Sequence, residues 1–539
     1  MQRMGAKPDD QRVVRRPRSN CRWTLRCCAL LVALFGPPAY SLPATNSSTN
    51  HLERVVALIA QGDLKGAEKE ARLALAKPST RALAYATLGT IRLQQKKLAE
   101  SSQYLAKAIQ LDPKLVGARL TLGQVYARQG KTARARQTFQ QALELAPDNP
   151  AVRVNLAQLE AMSGNYKASL ELIEPIAPPL RRSPDGLVLL VIDYLGLGQK
   201  DSARELVSDW MALGEGVPPA LAIEFAKPLV EQGLVPEAIQ VLEKARGTGP
   251  ASFELAFTLG GAYLASGDTK RASEYYERAA TLNDRCALCF RQMAKIARRE
   301  GEKEKALSFL IKAKALEPEN PEVLFEFGRL CLEGDLFRDA IAALERAVQL
   351  RPDNDQYRYV LGSAYVGKVR YEEALPIFDA LVKKHPEDPV LNYAMGAMLY
   401  TVGMDLEGAE KYLRMSIHLQ PNQVGAYYYL GMVIFKKGDQ DQAVGIFHEL
   451  LQRFPDHVGS LEQLGTILVK QRKYDEAQQV LEKVLRLDPD SLTGHYQYSL
   501  LLGRLGKREE SEKHMQIAKR LEDERKVTSK REFYLLNPH

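Results

Sequence analysis

Apolar residues recur along the chain at i and i+4. Leu361 and Tyr365 share one face, Ala374 and Phe378 share another, and the polar turn Gly367-Lys-Val-Arg-Tyr separates the pairs. This spacing predicts two amphipathic helices joined by a short connection. No segment alternates convincingly with period two, so no sheet is expected.

The same unit returns. Small residues occupy one slot at Gly260, Ala294, Gly328, Gly362, Gly396, Gly431 and Gly465, stepping by 34 residues with one step of 35. Twelve places later a small residue recurs (Ala135, Ala272, Ala306, Ala340, Ala374, Ala443, Ala477), and four places after that an aromatic or Leu follows (Phe139, Tyr276, Leu310, Leu344, Phe378, Phe447, Leu481). A proline closes the unit at Pro113, Pro147, Pro318, Pro352, Pro386, Pro455 and Pro489. Glycine inside a helix costs about 1 kcal/mol against alanine, so its repetition points to a close helix approach, with Gly362 expected to face Ala374. Self-similarity at this period predicts a stacked array in which each hairpin buries the apolar face of its neighbour. The array also disposes of a near match to a phosphate-binding loop, Gly362-Ser-Ala-Tyr-Val-Gly367-Lys368. Val369 stands where a metal-ligating hydroxyl is needed, and the glycines belong to the repeat.

The pattern Leu-Gly-x-x-Tyr, then Ala-x-x-x-Phe and Pro, resembles the tetratricopeptide repeat, TPR, over roughly residues 51–520. The resemblance implies an all-α, α-α superhelical solenoid of about 13–14 hairpins. Pro147 to Pro250 spans 103 residues, three periods plus one, so the irregular stretch is expected to hold degenerate repeats and no inserted domain. The organisation expected is repeats over 51–154, degenerate repeats over 155–250, repeats over 251–520 and a charged tail over 521–539. The first and last repeats are weak, as capping units should be.

In TPR proteins the first helix of each hairpin lines the concave surface, and its fifth residue points inward. Here that slot reads Phe257, Arg291, Phe325, Tyr359, Tyr393, Tyr428, Glu462 and Tyr496. The aromatic row suits a protein partner that presents an extended peptide or an amphipathic helix, because rigid rings bury area at low entropic cost. Tyr359, Tyr393 and Tyr428 are the expected centre, flanked by Tyr400 and Phe435; packing between neighbouring helices is the competing role for such rings. The next slot holds Thr87, Thr121, Thr258, Glu326 and Val360, with Asn only at Asn155. Resemblance to the glycosyltransferase that modifies Ser and Thr with N-acetylglucosamine is therefore limited to the repeats, since its asparagine ladder is missing.

Charge changes the picture only at the start. Of the chain's net +8, residues 1–26 carry +6, from eight Arg and Lys against Asp9 and Asp10. The rest shows mixed charge, without the basic stripe that nucleic-acid binding requires. The basic head precedes the apolar run Cys27–Gly36, about half the 20 residues a spanning helix needs. It reads as a signal peptide over 1–41 cleaved after Ser41, followed by a linker over 42–50. Export to the periplasm or exterior follows. An uncleaved signal anchor is the alternative, and would supply the chain's membrane association.

Candidate chemistry is sparse. Cys286-Ala-Leu-Cys289 is the only CxxC; export would place it where a local disulfide can form or exchange. Without a βαβ context or a second ligand pair, it reads as a junction between repeats before it reads as a redox or zinc site. The eight histidines show no metal-ligand spacing, and no nucleophile motif occurs. No catalytic residue, metal or cofactor is expected, and no oligomeric state is implied. The reading is an exported, non-enzymatic interaction scaffold, with an accessory factor of a secretion, assembly or redox system using Cys286 and Cys289 as the alternative.

Overall fold

The computed structural model describes residues 49–248, 251–403 and 405–527. The expected leader, and most of the linker and tail, lie outside the described residues. No strand occurs among the described residues, and no helix there is long and apolar enough to cross a membrane.

The chain forms two compact units that divide between Asn283 and Asp284, each an α-α solenoid. Among the described residues the first holds seven hairpins: Thr49–Ala60 with Leu64–Ala74, Pro78–Gln94 with Leu98–Leu111, Val116–Arg128 with Thr132–Leu145, Pro150–Met162 with Tyr166–Ile173, Pro184–Gly196 with Lys200–Ala212, Pro219–Glu231 with Val235–Thr248, and Phe253–Ser266 with Thr269–Leu282. The second holds seven more: Ala287–Arg299 with Lys303–Leu316, Pro321–Glu333 with Phe337–Leu350, Asp355–Gly367 with Tyr371–Lys384, Pro389–Val402 with Leu406–Leu419, Val424–Lys437 with Gln440–Arg453, Val458–Lys470 with Tyr474–Leu487, and Leu492–Arg504 with Arg508–Val527.

The repeated residues account for the hairpin. Ala272, Ala306, Ala340, Ala374, Ala443 and Ala477 are fully buried at the crossing of the two helices. The glycine slot faces the expected alanine at Gly328 and Gly396, where an added Cβ would lie 3.1 and 3.0 Å from the carbonyl oxygens of Ala340 and Ala409, but its nearest neighbour is the bulky residue one turn further on. A Cβ on Gly362 would lie 2.9 Å from the Phe378 ring, not against Ala374, and one on Gly431 would lie 2.6 Å from Phe447. The missing side chain therefore makes room for the bulky residue of the second helix, the largest object at that crossing. This explains why glycine is kept despite its helical cost.

Ends are set locally. Asn320 and Asp388 accept hydrogen bonds from two backbone N–H groups each, ahead of Pro321 and Pro389 in the first turn. Each such cap contributes about 1 kcal/mol, and proline fits there because its missing N–H has no helical partner. The second helices stop before their closing prolines. Glu317, Arg351 and Asp488 sit at φ −133°, −136° and −132°, the extended region that a following proline imposes. Gly362 lies inside the helix Asp355–Gly367, so its N–H belongs to the helical ladder and the phosphate-loop resemblance has no structural counterpart. Val369, at φ +65°, takes the left-handed turn position that Gly301 and Gly438 occupy in their own hairpins.

The irregular stretch retains paired helices. Pro175, Pro178 and Pro179 shorten the second helix Tyr166–Ile173, and a single 3₁₀ turn and a four-residue helix, Ala177–Leu180, follow it. Its core still closes: Trp210 stacks on Phe225 with centroids 4.5 Å apart.

Candidate functional site

The fifth residue of the first helix packs within its own hairpin in some repeats and against the next hairpin in others. Phe257, in the first unit, is half-buried and packs edge-on to Tyr276 at 5.3 Å. The remaining slots belong to the second unit. Arg291 bonds through Nε and Nη2 to Glu326 at 3.1 and 3.2 Å. Phe325 is 7% exposed and stacks on Tyr357 of the following first helix at 4.5 Å. Tyr359 is half-buried, edge-on to Phe378 at 5.7 Å, and burial pushes its phenol up to about 12. Tyr428 meets His457 at 5.7 Å and Tyr429 at 5.5 Å. Glu462 accepts the Ser491 hydroxyl at 2.5 Å.

Tyr393 is the extreme case, at 1% exposure. Its ring lies across the first turn of the helix Val424–Lys437, where a Cβ on Gly425 would fall 2.8 Å from the phenol oxygen. Phe325 and Tyr393 therefore join hairpins and are not displayed to a partner. This corrects the expectation that Tyr393 sits at the centre of an open row, because the next hairpin covers its ring. Tyr496 marks the other extreme. It lies in the last hairpin described and is 43% exposed.

What is displayed is broader than the slot. Tyr359, Tyr400, Tyr428, Tyr429 and Phe435 are part-buried rings at the edge of the core of the second unit. Lys436 sits over the Tyr400 ring at 5.4 Å and Lys470 over Phe435 at 4.7 Å, so cations border the aromatic edge. The slot rule passed over Tyr429, which follows Tyr428 directly; its signal in the sequence is a third consecutive Tyr after Tyr427.

The cysteine pair is joined. Cys286 and Cys289 form a disulfide, are 6% and 0% exposed, and Cys286 Sγ accepts the Cys289 N–H at the start of the helix Ala287–Arg299. Exchange with a thiolate from another protein would require these buried residues to open. Cys331 is buried, and burial pushes its thiol up to about 11, away from the reactive thiolate. No group of three His, Cys, Asp or Glu able to hold a metal ion occurs among the described residues.

Two family profiles, each described as tetratricopeptide repeat, match the chain: one over residues 92–140, 127–187 and 434–505, the other over 223–285 and 325–389. No curated protein matches the sequence. Similar solved structures include the APC/C hetero-tetramer Cut9-Hcn1, with 15% identity and TM-score 0.40 over 81% of this chain and 93% of that one. Yeast Tom70 is 15% identical, with TM-score 0.32 over 84% of this chain and 98% of its own. YrrB, described as a TPR protein with an unusual peptide-binding site, is 23% identical, with TM-score 0.31 over 35% of this chain and 97% of its own. With paired helices at the repeat's spacing and family matches distributed through both units, the chain belongs to the tetratricopeptide repeat family of protein-interaction scaffolds.

Proposed function

We propose that this protein is an exported, non-enzymatic scaffold that captures a segment of a partner protein along the first-helix face of its second unit. The observation that carries the reading is the edge of part-buried rings, Tyr359, Tyr400, Tyr428, Tyr429 and Phe435, bordered by Lys436 and Lys470. Rings anchored on one side and open on the other can bury further area without ordering new side chains, which is where binding energy concentrates. An extended peptide or an amphipathic helix fits this edge.

Peptides selected on the full chain from a random nonapeptide phage library give the test. Tyr428→Ala combined with Tyr496→Ala should weaken a selected peptide about tenfold or more while keeping the helical circular dichroism signal. Met415→Ala, on the second helix Leu406–Leu419 and 42% exposed, should change nothing. Equal binding by the double variant would reject the first-helix face as the partner surface.

The location rests on residues 1–41, a basic head and a short apolar run that ends in Gly36-Pro37-Pro38. Protein recovered from the envelope fraction should begin at Leu42 on N-terminal sequencing. An intact Met1 or Met4 on an exported chain would favour the anchored form, and an intact chain in the cytoplasm would reject export.

A further inference from the structure

At two joints, one in each unit, neighbouring hairpins are linked by a polar pair on the first-helix face. The ninth residue of one first helix reaches the sixth residue of the next, 31 positions on. Gln124 Nε2 donates to Asn155 Oδ1 at 3.0 Å in the first unit, and Lys295 Nζ meets Glu326 Oε1 at 3.3 Å in the second. One repeat further, the ninth residue is Arg329. The same step from Arg329 arrives at Val360, which is 6% exposed and has nothing with which to accept a hydrogen bond.

The acids nearby are already engaged. Glu326 holds both Arg291 and Lys295, and Glu333 holds Arg298 at 3.1 Å. Among the described residues Arg329 makes no ion pair and no hydrogen bond. Its guanidinium carbon lies 6.0 Å from the Phe325 ring centroid, and its Nε is buried without an acceptor. Burial, and then the neighbouring Arg298, lower its proton affinity below that of an ordinary arginine. A guanidinium nonetheless stays charged, so the group is a half-buried cation that no acid of the chain holds by a hydrogen bond.

We propose that Arg329 is the anchor for a carboxylate brought by the partner: an Asp or Glu side chain of a peptide lying along the first helices. The proposal rests on the first-helix reading and gives it a chemical preference. A carboxylate would take N–H groups of the two terminal nitrogens together, the two-pronged geometry that suits arginine over lysine. Lys295 is paired with Glu326 and Arg298 with Glu333, so the charge left without an ion pair is that of Arg329 itself, and such a cation favours an acid over an amide.

Panning the random nonapeptide library on the full wild-type chain should enrich Asp or Glu at one fixed distance from an apolar residue. The selected peptide should bind wild type about tenfold more tightly than its Asn or Gln counterpart, and Arg329→Gln should bind both alike. Val360→Glu places an acceptor where the preceding repeat carries Glu326, and should also erase the preference by engaging Arg329 internally. It therefore decides the matter even if Arg329→Gln folds poorly. An acid preference that persists in both variants overturns the proposal and leaves the first-helix face intact as a binding surface. If wild type selects no peptide at all, both readings fall.

Discussion

Tyr393→Ala should cost about 3–5 kcal/mol of stability, the range for removing a large ring from a closed core. The ring is 1% exposed, lies over Gly425 and reaches Tyr429 at 6.0 Å, so its loss opens a cavity between two hairpins that glycine cannot refill. Tyr496→Ala removes the same residue from the same slot in the last hairpin, where the side chain is 43% exposed. That change should cost under about 1 kcal/mol. Urea unfolding of the two variants separates the effects: similar midpoints would show that the slot has one role throughout, contrary to the packing described here.

Asp193→Asn should stabilise the protein at pH 8 and do little at pH 4. Asp193 is fully buried in the degenerate stretch. Ser169 Oγ donates to its Oδ2 at 2.6 Å, and Oδ1 has no partner. Burial pushes the carboxyl up to about 7 from an ordinary 3.8. With the folded pKa raised, the unfolded chain releases its proton first, so stability falls as pH rises from about 4 to about 7 and the full loss is present above that. About three pKa units correspond to roughly 4 kcal/mol, less whatever the new amide loses by being incompletely bonded. Carboxylates held by arginine, such as Glu160 with Arg136, respond to pH in the opposite sense. The difference between variant and wild type is therefore the quantity to follow: a gain that is the same at pH 4 and pH 8 would contradict a buried, protonated Asp193.

The repeat was legible because each of its rules is local. Glycine and the bulky residue sixteen positions later meet within one hairpin, and a proline restricts the residue just before it, so helices, turns and their pairing followed from the 34-residue spacing. At Gly362 the nearest neighbour is Phe378, one helical turn beyond Ala374, and the spacing alone does not say which of the two fills the gap. The site was less legible because it depends on the joint between hairpins. Whether Tyr393 is open or covered is decided by Gly425, 32 residues away, and whether Arg329 is satisfied is decided by Val360. Asp193 resembles any other acid on a helix until the fold closes over it.

The claim that the second unit offers its first-helix face to a partner is tested most directly by hydrogen exchange of the full chain with and without a selected nonapeptide. The account predicts slower exchange in first helices such as Pro321–Glu333, Asp355–Gly367 and Val424–Lys437, with the second helices Phe337–Leu350 and Gln440–Arg453 unchanged. Protection that falls on the second helices, or only on the first unit, would contradict it.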